Sequence, residues 1–132
     1  MRLVLDTNVL VAAFIARGTC AELFEHCARS HTLVTTESLL AELSRTLTEK
    51  LGFSHRDAKD VVTLLRTRVE IVDAPPLDER VCRDRDDDQV LAAALAGRCE
   101  CLITGDKDLL DLGVFRDIPI VTPTQFWKTE SE

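Results

Sequence analysis

The side chains best suited to chemistry in this sequence are acids, and their surroundings matter more than their number. Asp6 ends the short apolar run Arg2-Leu3-Val4-Leu5, and Asp106 follows Cys101-Leu102-Ile103-Thr104. Both runs have the length and the Val/Leu/Ile content of buried strands. Glu42 lies where Leu39, Leu40, Leu43 and Leu47 recur at helical spacing, at the border of the apolar stripe. The run Asp84-Arg85-Asp86-Asp87-Asp88 leads into another helical stretch. Steps of three, four, seven and eight from Asp87 reach Val90, Leu91, Ala94 and Leu95; from Asp88 they reach Leu91, Ala92, Leu95 and Ala96. The first set is bulkier and carries the β-branched valine, which favours Asp87 on the inward face and leaves Asp88 as a neighbour able to assist. Each acid alone has an ordinary use, as a helix cap, a turn or a solvated helical residue. Together they differ, because four carboxylates in one cleft cannot all ionise cheaply without counter-charge. An all-oxygen donor set with no nearby Cys or His suits Mg²⁺ or Mn²⁺ rather than Zn²⁺. Such ions hold phosphates and activate water for phosphodiester cleavage.

The elements that must position these acids alternate between strand and helix. Arg2–Leu5, residues 31–35, Val69–Val72, the run from Cys101 and Ile118–Val121 read as strands. Between them, helices are expected from a Thr7 or Asn8 cap to Gly18, around residues 21–29, after a Thr36 cap, after a Ser54 cap, and from Asp87 or Asp88 to Gly97. A short helix around residues 107–112 and a terminal helix from Pro123 complete the chain, with a helical turn expected at residues 77–81. Strands alternating with helices argue for a parallel sheet covered on both faces. In such sheets, sites form beyond the carboxyl ends of strands, where strand order reverses. Asp6 and Asp106 are expected at that edge.

Composition bounds the rest. At 132 residues the length fits one domain, 1–132, without room for a second. Apolar residues make 45% and charged residues 30%, which excludes global disorder. The longest apolar run, residues 9–16, is far short of a bilayer span, so no membrane partner is expected. Net charge is −7, from 16 Lys+Arg and 23 Asp+Glu, which weighs against a generic nucleic-acid binder but not against an enzyme that holds phosphates through metal ions. Five cysteines without a C-x-x-C pair read as reduced, mostly buried thiols in a cytoplasmic protein. His26, His31 and His55 show no ligand spacing, and Phe126 and Trp127 read as packing residues.

Four segments, in this order and at this length, resemble a PIN domain. They are Leu3-Val4-Leu5-Asp6-Thr7-Asn8-Val9-Leu10, Glu37-Ser38-Leu39-Leu40-Ala41-Glu42-Leu43, Asp84-Arg85-Asp86-Asp87-Asp88-Gln89-Val90-Leu91-Ala92, and Leu102-Ile103-Thr104-Gly105-Asp106-Lys107-Asp108-Leu109-Leu110. The chain is similar to the small prokaryotic PIN proteins that act as VapC-type toxins of type II toxin–antitoxin pairs. The resemblance implies a three-layer α/β/α sandwich with a mostly parallel central sheet, and a Mg²⁺- or Mn²⁺-dependent ribonuclease. Its acids map onto Asp6, Glu42, Asp87 and Asp106 as catalytic and metal-binding residues. Asp108 stands where a further acid sometimes occurs, and Thr104 and Asn8 match polar residues that orient acids or waters. The implied partners are an RNA substrate, a cognate antitoxin and a second copy of the chain. Arg17, Arg45 and Lys107 are candidates for phosphate contact.

Rival readings make different demands. A PIN-like scaffold that binds RNA or protein without cutting would tolerate a broken acid set, and this set is intact. A Mg²⁺-binding receiver domain needs paired acids after the first strand and a phosphoacceptor after the third; here Thr7-Asn8 follows Asp6, and Asp73 is the sole candidate. A haloacid-dehalogenase-like phosphatase needs an Asp where Asn8 stands.

Overall fold

A computed structural model describes residues 1–15 and 18–130. Five strands are parallel: β1 (Arg2–Leu5), β2 (Thr32–Thr35), β3 (Glu70–Ile71), β4 (Cys101–Ile103) and β6 (Ile118–Val121). A two-residue strand, β5 (Val114–Phe115), runs antiparallel to β6 at one margin. The sheet order is β3-β2-β1-β4-β6-β5. Seven α-helices connect them: α1 (Thr7–Ile15), α2 (Thr19–Ser30), α3 (Glu37–Arg45), α4 (His55–Arg66), α5 (Arg85–Ala96), α6 (Lys107–Leu112) and α7 (Pro123–Glu130). A π-helical turn, Thr46–Lys50, prolongs α3.

Side chains on a strand alternate between faces, and β1 shows the result. Leu3 and Leu5 join Leu33, Cys101 and Ile103 in a core completed by α1, α2, α3, α4 and Phe126 of α7. Val4 faces the other way, with Val34, Leu102, Ile118 and Ile120, into a core built with α5 and α6. Two helical layers thus sandwich one mostly parallel sheet, the expected three-layer architecture. All five cysteines are free and four are buried. No single described helix is long and apolar enough to cross a membrane.

Local chemistry sets the helix starts. Thr36 accepts from the Leu39 amide at 3.2 Å, and Ser54 from the Asp57 amide at 3.0 Å, the expected caps. Gly97 ends α5 where a Cβ would meet Val34 Cγ1 at 2.6 Å, so this helix can close on β2 only with a bare backbone.

Several expectations need correction. Thr7 is already helical, and the carbonyl of Asp6 accepts from the Val9 and Leu10 amides, so the residue outside α1 is Asp6 rather than Thr7 or Asn8. The helix expected from Asp87 or Asp88 begins at Arg85, capped by Asp84, whose Oδ1 accepts from the Asp86 amide at 2.9 Å. Residues 77–81 form no helical turn. The expected end of α1 at Gly18 abuts residues 16 and 17, outside the described residues, and Gly18 itself precedes α2.

Candidate active site

Strand order reverses between β1 and β4, because the chain leaves β1 toward β2 on one side and returns to β4 on the other. Loops after these two strands diverge, which opens a crevice at their carboxyl ends. Asp6 and Asp106 both stand at this edge. The Asp6 amide donates to the Ile103 carbonyl at 2.9 Å, so the first residue beyond β1 is still tied to β4. The Thr104 hydroxyl donates to Asp6 Oδ2 at 2.7 Å and accepts from the Asp106 amide at 2.9 Å. One fully buried hydroxyl therefore fixes both acids relative to each other. Asp106 also caps α6, with Oδ2 accepting from the Leu109 amide at 3.0 Å.

The helices bring the other acids from both layers. Asp87, in the first turn of α5, is 9% exposed. One carboxylate oxygen each of Asp87, Asp106 and Asp108 lies within 4.8 Å of the others. Asp88 turns away: Oδ1 accepts from the Cys82 amide at 2.7 Å and Oδ2 from the Val81 amide at 3.1 Å, so it secures the loop before α5. Glu42 comes from α3 in the opposite layer, and its Oε2 accepts from the Thr7 hydroxyl at 3.2 Å. Asn8 is exposed in the first turn of α1.

Electrostatics couple these groups. Burial pushes Asp87 up to about 7, helped by the charges of Asp106, Asp6 and Asp84. Burial likewise pushes Glu42 up to about 7, with Asp86 and Asp6 adding and the Thr7 hydroxyl opposing. Asp6, 5% exposed, is raised by burial against the stabilising Thr104 hydrogen bond. Among the described residues, none of Asp6, Glu42, Asp87 and Asp106 forms an ion pair. Arg83 pairs with Asp108 at 2.9 Å, on the rim. Of the cations named as phosphate contacts, Arg45 is exposed and slightly favours ionised Glu42, Lys107 pairs with Asp111 at 3.0 Å, and Arg17 lies outside the described residues. A cluster of carboxylates destabilised by burial and mutual repulsion, with oxygen donors throughout, fits a hard divalent cation.

Periodicity alone left out three contributors. Asp84 and Asp86 add negative field to Asp6, Asp87 and Glu42, and Thr7 holds Glu42. The cue for Asp84 was its place at the head of the acidic run, where a cap belongs. Thr7 and Glu42 are 35 residues apart, and no local pattern announces their contact. Asp73, needed by the receiver reading, follows β3, and β2 separates β3 from β1. A receiver sheet places its third strand beside the first, so that reading fails on topology.

The PIN-domain family model matches residues 2–108. None of the curated proteins is significantly similar in sequence. Among solved structures, VapBC2 from Rickettsia felis, bound to a DNA fragment from its promoter, superposes with a TM-score of 0.67 at 16% identity, covering 92% of this chain and 98% of that one. VapBC-1 from nontypeable Haemophilus influenzae gives 0.65 at 17% identity, covering 94% and 99%. VapC20 of Mycobacterium tuberculosis, a toxin that cleaves the sarcin–ricin loop, gives 0.58 at 20% identity, covering 89% and 98%. These likenesses are to the fold, and the match over residues 2–108 places the chain in the PIN-domain family.

Proposed function

We propose that this protein is a Mg²⁺- or Mn²⁺-dependent endoribonuclease and the toxin of a type II toxin–antitoxin pair, acting in the cytoplasm. The observation that carries the reading is the convergence of Asp87 and Asp106 at the strand-order reversal, with Asp6 tied to Asp106 through the Thr104 hydroxyl, and none of the three paired with a described cation. These three are the residues to hold the ion, with Glu42 serving a second ion or the attacking water. When bound, the ion supplies positive charge to the scissile phosphate and a bound water of lowered pKa. The chain's own residues do the remainder. Thr104 holds Asp6 in register with Asp106. Glu42, steadied by Thr7, can take a proton at its carboxylate from an attacking water.

The partner assignment rests on the neighbours. Two of them are VapBC structures, and a third is a toxin that cleaves the sarcin–ricin loop. Net charge −7 suits a basic antitoxin segment laid over the acidic edge, and a dimer of the toxin is part of the same proposal.

The test is cleavage of RNA by the purified chain with Mg²⁺ or Mn²⁺, after treatment with EDTA, and by the Asp6→Asn variant. Metal-dependent cleavage lost in a folded Asp6→Asn protein supports the proposal. Cleavage at the wild-type rate by that variant overturns it.

A further inference from the structure

The sheet has a second cluster of donor atoms at its opposite edge, before β2 rather than beyond β1. His26 lies in α2, His31 closes the C-terminal end of that helix, and Glu130 is the last residue of α7. Glu130 Oε1 accepts from Nε2 of His26 at 2.8 Å and also bonds Nε2 of His31. All three donor atoms lie within 4.8 Å of one another. Aromatic rings hold them in place: Trp127 lies against the His26 ring at 4.9 Å and Phe126 meets the His31 ring edge-on at 5.9 Å. The three side chains remain 12–27% exposed. A surface hollow of about 420 Å³ borders His26 and Trp127, with Glu22 and Glu25 on its wall beside Arg29.

Two imidazoles and a carboxylate converging on one point are a donor set for a borderline transition metal. Zn²⁺ takes imidazole nitrogen and carboxylate oxygen at about 2.0–2.1 Å, so tetrahedral ligand atoms sit about 3.3 Å apart. The 2.8 Å spacing found for His26 and Glu130 needs to open by about 0.5 Å, within the reach of small χ rotations. Partial exposure leaves a fourth position for water. Mg²⁺ prefers oxygen and keeps its waters, so it competes poorly here. We propose that His26, His31 and Glu130 form a Zn²⁺-binding site that fastens the end of α7 to α2, separate from the acidic edge. The Met1 amine lies 3.0 Å from His31 Nδ1, which helps to fix the ring with Nε2 toward Glu130.

The test uses the full chain stripped with EDTA, then titrated with ZnCl₂ in excess MgCl₂. Calorimetry should show one Zn²⁺ per chain, and bound Zn²⁺ should raise Tm. Ring ¹⁵N–¹H spectra of the wild type should show His26 and His31 shifting while His55 stays fixed. His26→Gln and Glu130→Gln should each weaken binding at least roughly 10-fold, because loss of a direct ligand exceeds loss of a group behind one. Asp6→Asn should bind Zn²⁺ as the wild type does. No saturable uptake, or variants that bind as tightly as the wild type, overturns the proposal. So does zinc uptake that leaves both rings unmoved, since thiols would then hold the ion. The ring spectra need no variant, so the test survives a variant that fails to fold.

Discussion

Carboxylates meet opposite fates at the two edges of the sheet. Beyond β1 and β4, Asp6, Glu42 and Asp87 are crowded by burial and by one another, and all three titrate above their ordinary range. Before β2, Glu130 sits between two imidazoles, and their hydrogen bonds hold it below its ordinary range. Among the described residues, no cation pairs with Asp6, Glu42 or Asp87, and their all-oxygen crowd suits a hard ion; at the second edge two imidazoles share one carboxylate, a mixed set that suits a borderline one. The difference shows why counting acids does not identify a metal centre. What matters is which other groups share the site with them.

The largest expected effect falls on the uncompensated edge. Asp87→Asn should cut metal-dependent RNA cleavage by at least about 100-fold, since a direct ligand outweighs the roughly 10- to 100-fold typical of a group behind one. Asp88→Asn should instead cost about 1–3 kcal/mol of stability, because the Val81 and Cys82 amides lose a charged acceptor. Steady-state cleavage and urea unfolding of both variants check the pair; reversed outcomes would exchange the roles of the two residues.

Thr104→Val should have a smaller, mixed effect. It keeps the shape but strips Asp6 Oδ2 and the Asp106 amide of their shared hydroxyl, at about 1–3 kcal/mol. Cleavage should fall by roughly 10-fold with little change in RNA affinity, the mark of a positioning residue.

The smallest effect contrasts the edges by pH. In EDTA, folded Glu42 and Asp87 keep protons up to about pH 7, whereas unfolded carboxylates release them near pH 4. The folded chain binds more protons in that window, so ion-free stability declines as pH rises from about 4 to 7. Glu130 acts with the opposite sign. Its contribution is present above the unfolded Glu value and is lost as pH falls through its lowered folded value. Tm measured in EDTA from about pH 3 to about pH 7 should therefore pass through a maximum. Asp87→Asn should flatten the neutral side and Glu130→Gln the acid side, each by a few degrees, about what 1 kcal/mol shifts Tm in a domain this size. A monotonic profile unchanged by either variant would break the contrast.

Some of this was legible in the residues alone, for reasons the structure makes plain. Short apolar runs placed Asp6 and Asp106 at one sheet edge, because buried parallel strands have few other ways to be written. Helical spacing favoured Asp87 over Asp88 on the inward face, and Asp87 lies with Asp106 while Asp88 secures a loop. Helix α5 starts two or three residues before the expected Asp87 or Asp88, because a run of acids offers several caps of equal quality. Strand β5 was invisible. Its turn into β6 uses positive φ at Arg116 and Asp117, where a hairpin signal would normally show Asn or Gly. The histidine cluster was also hidden, since Glu130 is 104 and 99 positions from its partners and spacing rules see only neighbours.

The central place of β1 has a consequence for synthesis. Asp6 emerges from the ribosome first among the acids, yet its strand partner β4 and the Thr104 hydroxyl arrive almost a hundred residues later. Every shorter nascent fragment lacks a complete constellation. Under the proposed activity, the chain cannot cut RNA until the codons through Asp106 have been read.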